Sequence, residues 1–568
     1  MTAENSIVYT HKAKCRDCNR CVRVCPVKSI RIERNQAFVI PELCISCGNC
    51  ISECPQNAKT YRRDVHKVMQ FLDQNLQTVI SLAPSFSAYY EKSLWKRLPS
   101  ALRQVGFMYI GETSVGAWHT SQATAKQIQE NPNKTYITSA CPAVVNYIEL
   151  YSEQAGFITR TVSPMLAHAR MLKHKLGNQI KFVFAGPCIA KKSEAIRKQA
   201  VDYIDAVLTF EELDALFTEK EINISMCEES DFDETPVGNS RLYPIEGGLL
   251  KTAGIEPEYF SDRYYPLTGY EQVEDMIQTI QKQNIPSIFE PLFCKGGCIN
   301  GPIQFKDKTL IERKQSIINY HRQENHLTEP TSPCEVSLET VYYNRTTSFP
   351  IEFEEDEIKK VLEKTGKLTP EDELNCMACG YKSCRDKAKA ILQGIAEEEM
   401  CIPYMRRRAE QRSDIIVQSS PNGILIVDNK LEIVSMNPTF RRMFSCGDGI
   451  YGKKVSYLID PDPFERLMGG EEEEVRRTVK YNSYNLVCHQ IHYALKEAKQ
   501  YVAIFVDITD SQYNQETLKN IRTETILQVQ ELMDHQLNMA QKIAEYLGES
   551  SAKGETLLNK LIQVIGEK

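Results

Sequence analysis

One cysteine pattern occurs twice near the start of the chain. Cys15-x-x-Cys18-x-x-Cys21-x-x-x-Cys25-Pro26 is followed by Cys44-x-x-Cys47-x-x-Cys50-x-x-x-Cys54-Pro55. No other feature restricts the fold as tightly, because eight closely spaced thiols demand partners. The chain holds 20 cysteines in 568 residues, and in a reducing compartment that abundance points to metal ligation rather than disulfides. Thiolates at i, i+3 and i+6 can each take a different iron of one cubane while the backbone curls around it. The fourth cysteine of each run reaches the other cluster, so two [4Fe–4S] centres share eight ligands. One takes Cys15, Cys18, Cys21 and Cys54; the other takes Cys44, Cys47, Cys50 and Cys25. Zinc would use a CxxC pair but has no need of the third spaced cysteine or of Cys-Pro.

This length accommodates roughly three to five domains of ~100–200 residues. Charged residues make up 25% and the net charge is −7, so nothing in the balance points to nucleic acid or a membrane surface. No apolar run reaches the ~20 residues of a membrane span, and the polar N-terminus lacks the apolar stretch of a signal peptide. A cytoplasmic protein is expected.

The overall expectation is a multidomain α/β and α+β chain. Residues 1–64 form a ferredoxin-like two-cluster domain. Residues 65–345 alternate β-branched runs with helical patterns, as in an α/β domain. Core strands are read at Val79–Ala83, Tyr136–Thr138, Phe182–Phe184 and Ala206–Leu208, and amphipathic helices at Pro164–Lys175 and Tyr270–Gln283. Residues 346–410 hold a four-cysteine block and a linker helix. A β-hairpin at 423–434 and a strand at Tyr501–Val506 bound a small α+β domain, 411–510. The last segment, 511–568, is polar and helix-forming.

Within 65–345 three cysteine segments lie near predicted strand ends: Thr138-Ser-Ala-Cys141-Pro142, Gly186-Pro-Cys188-Ile-Ala-Lys191-Lys-Ser-Glu194 and Glu290-Pro-Leu-Phe-Cys294-Lys-Gly-Gly-Cys298. Ligands gather at strand ends in α/β domains, so spacing alone implies one further [4Fe–4S]-type site. These segments resemble the three H-cluster signatures of the [FeFe]-hydrogenases, through about residues 80–302. The resemblance implies that Cys141, Cys188, Cys294 and Cys298 hold a cubane. It also implies that Cys298 bridges to a diiron subcluster with CO, cyanide and dithiolate ligands. Lys191 would donate a hydrogen bond to a cyanide, with Glu194 nearby.

The departures bear on function. Fast hydrogenases carry a proton-relaying cysteine where this chain has Ala140, which can neither donate nor accept a proton. The acidic relay expected after Gly116-Ala117 is replaced by residues 118–125, in which His119, Ser121 and Thr124 are either a substitute relay or ordinary helix residues. Gly186 and Leu292 stand where pocket methionines are expected. Losing one positioned proton-transfer group costs ~10²–10⁴ in rate, so slow, reversible turnover of hydrogen is expected.

Cys376-x-x-Cys379-Gly380-x-x-x-Cys384, with Cys401-x-Pro403 downstream, resembles a small single-[4Fe–4S] domain and brings the cubane count to four, with structural zinc as the alternative for this block. Residues 411–510 resemble a PAS domain. Cys227, Cys334, Cys446 and Cys488 lack ligand spacing and read as structural, as do His489 and His492. The expected function is hydrogen sensing by an [FeFe]-hydrogenase, acting on H2 and protons and exchanging electrons with a redox partner such as ferredoxin. Its signal would pass to a regulatory phosphatase or kinase, with homodimerisation through the PAS domain and the 511–568 helix. Alternatives are a working ferredoxin-linked hydrogenase and a non-catalytic iron–sulfur scaffold or redox sensor.

Overall fold

The computed structural model describes residues 6–34, 36–255, 263–282, 285–303, 308–323, 335–345, 353–470, 472–495 and 499–509, with Gln536 and Met539. Cys334, and the expected helix at 511–568 apart from those two residues, lie outside the described residues. The chain divides into two compact units, Met1–Met405 and Arg406–Lys568.

In the first unit the cysteine repeat folds as a structural repeat. Strand Val8–Thr10 pairs antiparallel with Lys59–Tyr61, and Ile30–Glu33 with Gln36–Val39. Left-handed backbone at Asp17, Asn19 and Lys28 recurs at Ser46, Gly48 and Asn57, the matching places in the second run, as expected where the chain must curl twice around the same kind of object. Gly48 is required there. Its φ is +83°, and a Cβ would stand 2.5 Å from Pro302 and 2.9 Å from Ile189, both neighbours of the central cysteines.

The α/β region builds two parallel sheets. One runs Tyr109–Glu112, Thr78–Leu82, Lys181–Gly186, Ala206–Thr209; the other runs Tyr264–Thr268, Ile288–Leu292, Tyr136–Ile137. All five residues of Thr78–Leu82 are buried, which is why that strand reads as an unbroken β-branched run instead of alternating. The helix Pro164–Leu176 starts where Ser163 accepts a hydrogen bond from the Leu166 N–H, with proline at its first position, a favoured entry. It packs on Ser114–Glu130 through Gly116, where a Cβ would lie 2.4 Å from the Pro164 carbonyl oxygen.

The third cysteine block has helices Glu355–Lys364 and Cys384–Leu392. It shares a core with the first domain, where Tyr381, Ala390 and Met400 join Cys21, Val22 and Ile30. The helix Ile402–Ser419 runs on past residue 410, where the expected linker stops.

The second unit is a five-stranded antiparallel sheet ordered Ile433–Met436, Gly423–Asp428, Gln500–Asp507, Leu486–Leu495, Glu474–Tyr481. Phe440, Phe444, Phe464 and Phe505 fill its core. Asn437 stitches the opening hairpin: its Oδ1 accepts from the Phe440 N–H at 2.9 Å and the Ile424 N–H at 2.8 Å.

Candidate metal-cluster and catalytic site

The cysteines fall into four electrostatic groups. Burial pushes the Cys21 thiol up to about 11; Lys59 pulls it down, while Cys18, Cys15 and Cys54 push it up further. Cys50 is raised by burial and then by Cys47, Cys44 and Cys25. Cys54 thus stands with the first run and Cys25 with the second. In the central domain burial raises Cys294, followed by Cys188, Cys298, Cys141 and Cys47. Cys379 is raised by burial and, among its neighbours, by Cys401 and Cys376. Cys384 opens the following helix, its N–H bound to Asn375 Oδ1 at 2.7 Å.

The donor chemistry fits iron–sulfur cubanes. Burial and mutual repulsion hold these thiols neutral, and cationic iron would convert them into thiolate ligands. Backbone N–H groups already aim at sulfur, from Ser46 to Cys44 at 3.4 Å and from Ala58 to Cys54 at 3.2 Å. Among the described residues no three His, Cys, Asp or Glu side chains converge on one bare ion. Cubane ligands, each on its own iron, are held further apart.

The central group sits where the two sheets end. Cys188 follows strand Lys181–Gly186, Cys294 follows Ile288–Leu292 and Cys141 follows Tyr136–Ile137. Beside it lies a cavity of about 90 Å³ lined by Cys298, Lys191, Ala140, Leu292, Pro84 and Phe184, among others. Lys191 Nζ donates to Glu194 Oε2 at 2.8 Å and reaches the Ala140 carbonyl at 3.5 Å. Its charge pulls down the Cys188 thiol, which burial and Cys141 push up to about 11. Leu292 does line the cavity. Gly186 does not; it makes room for the Phe184 ring, which a Cβ would meet at 2.7 Å. A larger cavity of about 700 Å³ lies against Cys44. Paired charges such as Arg197 and Glu149, 3.0 Å apart, occupy its wall, and the other thiols do not converge there.

The helix residues after Ala117 diverge. Ser121 donates to Tyr243 OH at 3.0 Å, Thr124 meets Thr161 at 3.1 Å, and His119 packs edge-on to Trp118. They form no single file. Tyr243, Phe184 and Thr113 border the cavity without having been singled out in the sequence; the run Ala83-Pro84-Ser85 after a buried strand was the one local signal for that wall. Cys227 and Cys488 are buried, and Cys446 Sγ lies 3.8 Å from Met436 Sδ, as packing residues. In the second unit His492 is buried and His489 faces Thr478 at 3.1 Å.

Family comparisons agree with this layout. Residues 76–302 match the iron-only hydrogenase large subunit, C-terminal domain, and residues 7–55 the 4Fe-4S dicluster domain. Residues 372–403 match an Fe–S cluster domain and 411–479 a PAS domain. Iron hydrogenase 1 of Clostridium pasteurianum is 24% identical over 330 residues, 47% of this chain; the chain spans 57% of that relative's own length. The cytosolic Fe-S cluster assembly factor NAR1 of Yarrowia lipolytica is 25% identical over 185 residues, 29% of this chain and 36% of that one. Among solved structures, an [FeFe]-hydrogenase HydA1 variant from Chlamydomonas reinhardtii aligns over 50% of this chain and 99% of its own, at 18% identity and a TM-score of 0.41. No helix among the described residues is long and apolar enough to cross a membrane.

Proposed function

We propose that this chain, whose residues 76–302 carry the iron-only hydrogenase large-subunit domain beside dicluster, Fe–S and PAS domains, senses hydrogen through slow, reversible hydrogenase chemistry. The observation that carries the reading is the cavity beside Cys298. It is lined by apolar side chains, with one ammonium, Lys191, oriented by Glu194, and with Ala140 where a proton-relaying thiol is expected. A cubane on Cys141, Cys188, Cys294 and Cys298, joined through Cys298 to a diiron unit with CO, cyanide and dithiolate ligands, would supply reversible splitting of hydrogen.

The protein's own groups set the terms. Lys191, held from one side by Glu194, offers its remaining N–H bonds to an anionic ligand in the cavity. Pro84, Phe184 and Leu292 exclude water. Cys47 of the second ferredoxin run lies within electrostatic reach of Cys294, and Gly48 packs directly on Pro302, so electrons have a short exit toward residues 15–54. Cys379 and Cys25 both act on Tyr381, which adds the third cysteine block to that route. The PAS domain would pass the redox state to a partner regulator such as a phosphatase or kinase, as a homodimer, in the cytoplasm.

Ala140→Cys is the test. Restoring the thiol should raise hydrogen turnover by ~10² or more in the matured chain. A parent already turning over quickly favours the working ferredoxin-linked hydrogenase, and a slow parent that the thiol does not speed up overturns the role given to Ala140. Relatives named as assembly factors favour a scaffold without the diiron unit; a matured chain holding cubane iron only would establish that reading.

A further inference from the structure

The cavity lacks a relay thiol, yet a continuous file of hydrogen bonds leaves it on another side. Thr113, which borders the cavity, pairs its hydroxyl with Ser81 Oγ at 2.6 Å. Ser81 Oγ lies 2.8 Å from His168 Nδ1, and His168 Nε2 lies 2.7 Å from Glu234 Oε2. Glu234 is 13% exposed, 3.7 Å from the half-exposed Lys175 ammonium. Ser81 and His168 are fully buried.

The surrounding backbone is cut to fit this file. A Cβ at Gly111 would stand 2.7 Å from His168 Cε1 and 3.0 Å from Glu234 Oε2; one at Gly116 would stand 2.8 Å from His168 Cβ. Two glycines on different elements thus clasp one imidazole. The titratable groups facing the file are few. His119 faces His168, and burial, reinforced by His168, holds its pKa down. Glu234 stays below the usual carboxylate range although burial pushes it up, because His168, Lys175 and Tyr109 outweigh that.

We propose that Thr113, Ser81, His168 and Glu234 form a proton relay between the hydrogen-binding cavity and solvent, replacing the route that Ala140 cannot serve. The proposal rests on the hydrogenase reading above. A proton reaching Thr113 displaces the Thr113 proton to Ser81, and the Ser81 proton moves to His168 Nδ1. The Nε2 proton passes to the Glu234 carboxylate, which releases it to water beside Lys175. Only O–H and N–H bonds are made and broken. The ring then carries its proton on Nδ1, and a second outward proton must wait until the ring turns or a proton returns. The clasp of Gly111 and Gly116 opposes turning. Such a relay equilibrates one proton well and sustains a continuous flux badly, which suits a sensor.

Two measurements decide it. In the full chain reconstituted with iron and sulfide and labelled with ¹⁵N-histidine, His168 should be neutral with its proton on Nε2. A proton fixed on Nδ1, or a ring doubly protonated throughout the folded range, would overturn the relay. In the matured chain under H2 in D2O, Glu234→Gln and Ser81→Ala should each slow HD release by ~10², with unaltered CO and cyanide infrared bands. His174→Gln, an exposed change on the same helix, should leave the rate alone. Parent rates in both relay variants, with the bands intact, overturn the proposal. Absence of the bands in the parent counts against the hydrogenase reading instead, and leaves the tautomer measurement to decide the relay.

Discussion

Both compact units have apolar cores, but they differ in what else they bury. The first buries chemistry: thiols that raise one another's pKa, Lys192 with Glu212 at 2.8 Å, and Arg241 with Glu112 at 2.8 Å. The second adds rings: Phe440, Phe444 and Phe505 in mutual contact, with Phe464 in the same core and Cys488 as filler. Removing one partner of a buried charge pair is strongly destabilising, and the cysteine loops gain their partners only when metal is bound. An aromatic core needs only its own shape. The difference teaches that the cysteine loops of the first unit depend on what they bind, whereas the sheet of the second is held by its own apolar core.

The largest expected effect follows from that dependence. Prepared without iron and sulfide, the chain should lose hydrogen-exchange protection around residues 15–54 and the central cysteine loops while the strands of 423–507 keep theirs. Equal protection in both units would break the comparison. Next comes Phe505→Ala, which removes a fully buried ring and should cost ~3–5 kcal/mol. The thermal transition of the second unit should fall while bound iron stays constant.

A smaller effect concerns a buried imidazole in the second core. Burial first, then Arg477, lowers the His492 pKa from 6.5 to about 4, between the rings of Phe464 and Phe505. The unfolded chain therefore binds a proton there more readily than the folded one. Stability is full above the unfolded pKa and is lost as pH falls from about 6.5 toward 4, by at most ~3 kcal/mol. His492→Leu should flatten that slope, measured by denaturant midpoints across this window. A slope that survives in the variant assigns the acid sensitivity elsewhere.

How much of this was legible depended on distance along the chain. The two N-terminal cysteine runs announce themselves because their thiols are local, three residues apart; the central set, spread from Cys141 to Cys298, was legible only through its resemblance. The strand positions were legible because parallel strands are unbroken apolar runs. Asn437 before Pro438 marks a helix start for the same reason. The His168–Glu234 pair was not legible. Its members are far apart in sequence, each an ordinary polar residue in its own segment, and only the folded sheet brings Ser81 between them and the cavity. Lys192 and Glu112 hid likewise: a charge reads as surface until its partner is known. Gly111 and Gly116 were visible as glycines, but what each makes room for is a tertiary fact.

The most direct test of the central claim is infrared spectroscopy of the anaerobically matured chain, under hydrogen and then argon. The expected result is a set of CO and cyanide bands that shift under hydrogen and return under argon. No such bands, in a chain whose four cysteine sets are filled with iron, would contradict it and leave the cavity beside Cys298 without its proposed chemistry.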